Sequence, residues 1–133
     1  MGTPHILFAD DNSDICELVQ LVLQSAGFRV STTATTTGVL QLTATERFDA
    51  MVLDYWMPDL TGVELCRRIR AFDQRTPILI CSGAVTKADR DAAVLAGAQG
   101  YVVKPFDSDD LINALRSALE SSQILPECEN LPT

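Results

Sequence analysis

Five short runs rich in apolar residues recur along the chain: HILFA (5–9), FRVSTTA (28–34), DAMVLD (49–54), PILICSG (77–83) and GYVVKPF (100–106). A strand with one wet face alternates apolar and polar residues, whereas one covered on both faces reads as continuous hydrophobe, the mark of a parallel sheet. Four of the runs are of the continuous kind. The second alternates (Phe28, Val30, then threonines) and suits a sheet edge. The segments between the runs have a helical period. Ile15, Leu18, Val19, Val22, Leu23 and Ala26 fall on one stripe, which Gly27 stops, and Ser13 or Asp14 is placed to cap it. Leu65, Ile69 and Phe72 make a second stripe, opened by the capping-box pattern Thr61-x-x-Glu64. Leu111, Ile112, Leu115, Ala118 and Leu119 make another, behind Asp107, Asp109 and Asp110, which suit the positive end of a helix. Residues 36–46, rich in threonine, and 86–97, rich in alanine, predict helices held by few large contacts. Strand and helix thus alternate five times. With right-handed crossovers this predicts an α/β fold, a doubly wound five-stranded parallel sheet with helices on both faces.

A chain of 133 residues is the size of one domain. The expected domain covers residues 1–122. The remainder, QILPECENLPT (123–133), carries two prolines and no period and is expected to be an unstructured or loosely attached tail. A net charge of −8 argues against direct nucleic-acid binding, which depends on Lys and Arg neutralising phosphates. No run has the length of a membrane span, and MGTPH lacks the basic start of a signal peptide, so the expected location is the cytoplasm. Cys16, Cys66, Cys81 and Cys128 stand at long, irregular spacings with no CxxC pair, as suits reduced packing residues. His5 follows Pro4 at a strand start rather than lying on an exposed helix, and is expected to be inert.

The polar residues at the strand ends carry the chemistry. Asp10 and Asp11 close the first strand, Asp54 the third, Ser82 the fourth and Lys104 the fifth. All lie at carboxyl ends, the edge at which open doubly wound sheets bind ligands. Adjacent carboxylates repel and ask for a cation, and three of them form a hard-oxygen site suited to Mg²⁺. Asp54 is the candidate nucleophile, since a carboxylate attacking phosphorus gives an acyl phosphate. Lys104, one of only two lysines, supplies positive charge for a phosphoryl group, and Ser82 supplies a hydrogen-bond donor.

With these residues in place, the chain resembles the receiver domain of bacterial two-component response regulators over essentially residues 4–121. The matching motifs are FADDN (8–12), VLDYWMPDLTG (52–62), ICSG (80–83) and YVVKPF (101–106). The resemblance implies a flavodoxin-like sheet of order 2-1-3-4-5 in a chemotaxis-regulator-like single domain. It implies that Asp54 takes a phosphoryl group from a partner's phosphohistidine, that partner being a sensor histidine kinase or a histidine phosphotransfer protein. Asp10, Asp11, Asp54 and the main-chain carbonyl of Trp56 would hold Mg²⁺, and Lys104 and Ser82 would contact the phosphoryl group. Tyr101 matches the family's switch aromatic, which turns inward when Ser82 is drawn to the phosphate, and Lys104-Pro105 matches a bond usually cis in the family. The face of the fourth helix, fifth strand and fifth helix would then change state and meet a downstream protein. Tyr55 and Trp56 are bulkier than the family commonly shows, which bears on the lifetime of the phosphoryl group, and Thr61 stands where Asp or Asn is commoner.

On this reading the chain is no enzyme beyond its own phosphorylation and dephosphorylation. The alternative is an Mg²⁺-dependent phosphatase with an aspartyl nucleophile. Such enzymes place DxD after the first strand, whereas here that strand ends in DD. A flavin carrier of the same architecture needs a phosphate loop free of acids after strand one, and ADDNSD would repel that phosphate. The sequence leaves open a homodimer through the helix-four face. It leaves open also whether the receiver stands alone, shuttles phosphoryl groups in a phosphorelay, or belongs to a hybrid kinase or larger regulator.

Overall fold

The computed structural model describes residues 2–83 and 86–130, with side chains through Glu120. Strand and helix alternate throughout: β1 (His5–Ala9), α1 (Ser13–Ser25), β2 (Arg29–Thr33), α2 (Thr36–Thr45), β3 (Ala50–Asp54), α3 (Gly62–Arg70), β4 (Ile78–Ser82), α4 (Lys87–Ala96), β5 (Gly100–Val103) and α5 (Ser108–Asn130). The five strands pair in parallel, in the order β2-β1-β3-β4-β5. The expected flavodoxin-like sheet of order 2-1-3-4-5 is therefore the observed one.

Burial explains why these runs are strands. Every residue of β1, β3 and β4 is buried, because each strand has a neighbour on both sides and helices on both faces. No residue of β2 is buried, as expected of an edge. β5 departs from the continuous-hydrophobe reading. It is the opposite edge, so only Val102 of its four residues is buried and Val103 is exposed. One face of the sheet carries α2, α3 and α4 around Leu7, Leu53, Leu65, Ile69, Ile78 and Ile80. The other carries α1 and α5 around Ile6, Phe8, Leu23, Val52, Leu111 and Leu115. Each such side chain, taken fully from water, contributes about 1.5–3 kcal/mol.

Several local expectations change. Leu18 is 61% exposed, and α1 buries Cys16, Val19 and Leu23 instead, a stripe rotated by part of a turn. The cap of α1 is Asn12, whose Oδ1 accepts from the Asp14 and Ile15 amides at 2.9 and 3.3 Å, rather than Ser13 or Asp14. Phe72 lies beyond the end of α3 and is exposed. Thr61 caps α3 through the Glu64 amide, but the Glu64 carboxylate turns to Arg67 at 2.9 Å rather than back to Thr61. The reciprocal capping box occurs at Thr86 and Asp89 of α4. The backbone of α5 is helical across residue 122, past the expected start of the tail, to Asn130. The tail's side chains, Cys128 among them, lie outside the described residues, as does Ala84, two residues past the end of β4. Cys16, Cys66 and Cys81 are buried free thiols, and burial pushes the Cys81 thiol up to about 12.

Candidate functional site

Strand register brings the strand-end residues together. Ala9 pairs with Leu53, so Asp10 and Asp54 come level at the carboxyl edge. Asp54 pairs with Cys81, and Ser82 with Val103, so Ser82 and Lys104 continue the row. Main-chain bonds hold the strands together at that edge. The Tyr55 amide donates to the Cys81 carbonyl and the Lys104 amide to the Ser82 carbonyl, each at 2.8 Å. The Lys104-Pro105 peptide is cis.

Asp10, Asp54 and Ser82 are almost fully buried, at 1%, 5% and 2% exposure. Two buried carboxylates side by side demand compensation, and here Lys104 provides it. Its Nζ stands 2.7 Å from Asp10 Oδ2 and 3.1 Å from Asp54 Oδ1. Burial, and then the Asp10 charge, push the Asp54 carboxyl up, while the hydrogen bond and charge of Lys104 pull it down; the net displacement is upward. Burial would lower the Lys104 ammonium, but its bonds to Asp10 and Asp54 outweigh that and hold it above the usual lysine range. Asp10 is also fixed from behind, since its Oδ1 accepts from the Asn12 amide at 2.9 Å. Asp11 is exposed at the rim.

The donors fit a hard divalent cation. Asp10, Asp11 and Asp54 each offer a carboxylate oxygen, all within 4.8 Å of one another, with two acids buried and one open to solvent. Oxygen donors of that number and type suit Mg²⁺ better than softer metals.

The remaining expected site residues lie around this cluster. Trp56 is 66% exposed beside it, and its ring meets Tyr55 edge-on at 4.9 Å. Tyr101, on β5, has a buried hydroxyl that finds no hydrogen-bond partner among the described residues. Burial raises its phenol, and the nearby Ser82 side chain opposes that shift without the two meeting in hydrogen-bond geometry. His5 lies elsewhere. Its Nε2 is 2.9 Å from Ser31 Oγ and its ring packs on Phe48, a core role.

Two contributors have no assigned role in the sequence reading. Asn12 both caps α1 and steadies Asp10, and its position after DD and before a helical stripe was the signal for it. Gly62 lets α3 start against the end of β3, for a Cβ there would stand 2.6 Å from the Asp54 carbonyl oxygen. Only the fold reveals that approach.

Comparison with known proteins points the same way. The family model described as "Response regulator receiver domain" matches residues 6–116. The chain is 35% identical over 119 residues to the transcriptional regulatory protein PrrA of Mycobacterium leprae, covering 90% of this chain and 51% of that one. It is 38% identical over 116 residues to CseB of Streptomyces coelicolor, covering 86% and 49%. The chain thus spans about half the length of the curated relatives it matches. Among solved structures, the chemotaxis response regulator CheY4 of Vibrio cholerae aligns with a TM-score of 0.83 at 31% identity, over 87% of this chain and 98% of that one. A CheY-like receiver domain protein of Methanospirillum hungatei shares the fold, with a TM-score of 0.87 at 24% identity over 92% and 98%. On its sheet order, its strand-end carboxylates and these likenesses, the chain belongs to the response regulator receiver domains of two-component systems.

Proposed function

We propose that this receiver is a phosphoacceptor switch whose acceptor is Asp54. The observation that carries the reading is the Lys104 ammonium held between Asp10 and Asp54 at the carboxyl edge of the sheet. An Asp54 oxygen attacks the phosphorus of a partner's phosphohistidine, the bond from imidazole nitrogen to phosphorus breaks, and the imidazole leaves with a proton from solvent. Lys104 is placed to follow the incoming charge, moving from carboxylate to phosphoryl oxygen with little rearrangement. Asp10, Asp11, Asp54 and the Trp56 carbonyl are the groups that would hold Mg²⁺, whose charge offsets that of the phosphoryl oxygens. The Ser82 hydroxyl donates to the same oxygens, and Tyr101 beside it carries the change to α4 and β5.

The partners on this reading are a sensor histidine kinase or histidine phosphotransfer protein upstream and a protein target downstream, in the cytoplasm. The net charge of −8 suits protein partners rather than DNA. The domain turns over no substrate besides its own acyl phosphate. Among the described residues no helix is long and apolar enough to cross a membrane.

Incubation with Mg²⁺ and a small acyl phosphate should add one phosphoryl mass, lost in base as an acyl phosphate must be. Asp54→Asn should add none. Uptake of that mass by Asp54→Asn under the same conditions would overturn the assignment.

A further inference from the structure

Helix α4 is fastened to the fold at one end. Its buried residues, Ala93 and Ala96, lie toward its C-terminus, and Cys66 of α3 points its thiol at the Ala96 carbonyl, 3.4 Å away. The helix closes on Gly97 at φ 106°, a conformation that L side chains rarely adopt. Over that cap lies Arg70, the last residue of α3. Its Nε and Nη2 both donate to the Gly97 carbonyl, at 3.0 and 2.9 Å. Nη2 donates also to Gln99 Oε1, and Nη1 to the Asp73 carbonyl, each at 2.9 Å. Gln99 Oε1 accepts in turn from the Ile78 amide at 2.8 Å. The stem of Arg70 crosses Gly97 so closely that a Cβ there would stand 2.8 Å from Arg70 Cγ. One planar, permanently charged fork therefore ties the end of α3 to the cap of α4, the start of β4 and the entry to β5.

Among the described residues nothing comparable holds the opposite end. No residue from 87 to 92 is buried. The Thr86–Asp89 capping box closes on itself, and the Lys87–Asp91 pair, at 2.9 Å, is exposed and internal to the helix. This is the end that faces the carboxyl edge, where Ser82 and Asp54 lie.

We propose that Arg70 is the pivot of α4: its grip on Gly97 and Gln99 keeps the C-terminal end of the helix in place while the N-terminal half swings in response to Asp54. The trigger rests on the phosphoacceptor reading; the grip does not. It is a positioning role, with no contact to the reacting atoms.

Amide hydrogen exchange on the full chain tests it, in the parent, Arg70→Met and Arg70→Ala, before and after phosphorylation. Arg70→Met keeps the stem over Gly97 and removes every donor, so it serves even where Arg70→Ala fails to fold. Before phosphorylation, amides 97–99 should exchange at least tenfold faster in Arg70→Met than in the parent, and amides 90–92 less than twofold faster. In the parent, phosphorylation should change exchange at 90–92 and spare 97–99; in Arg70→Met both stretches should respond. Unchanged exchange at 97–99 in Arg70→Met, or a parent whose two stretches respond equally, overturns the pivot. Absence of label on Asp54 strikes the switch reading instead, and the comparison before phosphorylation still decides whether Arg70 grips.

Discussion

Helices α3 and α4 pack on the same face of the sheet yet are built on opposite plans. The nine residues of α3 bury five: Gly62, Val63, Leu65, Cys66 and Ile69. The ten of α4 bury two alanines and leave Val94 and Leu95 at 67% and 84% exposure. Their N-termini differ as well. α3 opens with the Gly62 amide on the Tyr55 carbonyl at 2.7 Å and a bridge from Thr61 to Trp56, so it starts from the end of the Asp54 strand. α4 opens on a capping box made of its own residues. The difference separates a frame, which holds the Asp54 carboxylate in place, from an element with little packing to lose.

Core truncation should show that contrast most. Leu65 is fully buried, so Leu65→Ala removes apolar contact and leaves a cavity, at a cost of about 2–5 kcal/mol. Leu95→Ala, on the exposed side of α4, should change stability by less than about 0.5 kcal/mol. Urea denaturation of both variants checks this. A Leu95→Ala loss near that of Leu65→Ala would mean that α4 is held as firmly as α3.

The caps should sharpen the contrast at a smaller scale. Thr61 and Thr86 each accept from the amide three residues on, at 3.1 Å. Losing such a cap costs about 1 kcal/mol. In α3, whose first turn is joined to β3, that cost should fall on global stability and lower the thermal midpoint. In α4 it should appear as faster exchange at the helix start, with a midpoint nearly unchanged. Equal falls in midpoint for Thr61→Ala and Thr86→Ala would show that the start of α4 is coupled to the core.

What could be read in the sequence follows the same division. Strands buried on both faces announce themselves as continuous hydrophobe, and chemistry placed at their ends is legible because strand ends can be counted. Asp10, Asp54 and Lys104 meet in the structure, and strand register sets Ser82 in the same row. β5 misleads because apolar content does not say whether a strand has one neighbour or two. The box at Thr86 escapes notice because its third residue is Asp, not the longer Glu or Gln of the usual pattern, whereas Thr61-x-x-Glu64 fits the pattern and loses its second bond to Arg67. The mutual approach of Gly62 and Asp54, and the reach of Arg70 across 27 residues to Gly97, are tertiary facts with no local signature. Lys104 was legible as a positive charge, but its place between two carboxylates was not.

The smallest expected effect concerns a second anchor at the end of α3, in the turn to β4. Asp73 Oδ1 accepts from the Arg75 and Thr76 amides at 2.9 and 3.0 Å. Burial alone would push this carboxyl up, but bonds from the Thr76 side chain and from the Thr76 and Arg75 amides, with the Arg70 charge, outweigh it and hold it below its ordinary value. A carboxyl with a depressed folded pKa contributes stability that is fully present above the unfolded pKa, about 3.9, and is lost as pH falls through the folded value. Asp73→Asn keeps an acceptor oxygen and removes the charge. It should therefore be less stable than the parent at pH 7, by about 0.5 kcal/mol or less for a half-buried group that solvent still screens. That gap should close as pH falls below the ordinary carboxylate range, because the parent then loses the same charge. Denaturant midpoints of both proteins between pH 7 and pH 2.5 would show it. A gap that stays constant over the whole range would mean that the turn depends on the shape of the acceptor rather than on its charge, and that the end of α3 carries no acid-sensitive anchor.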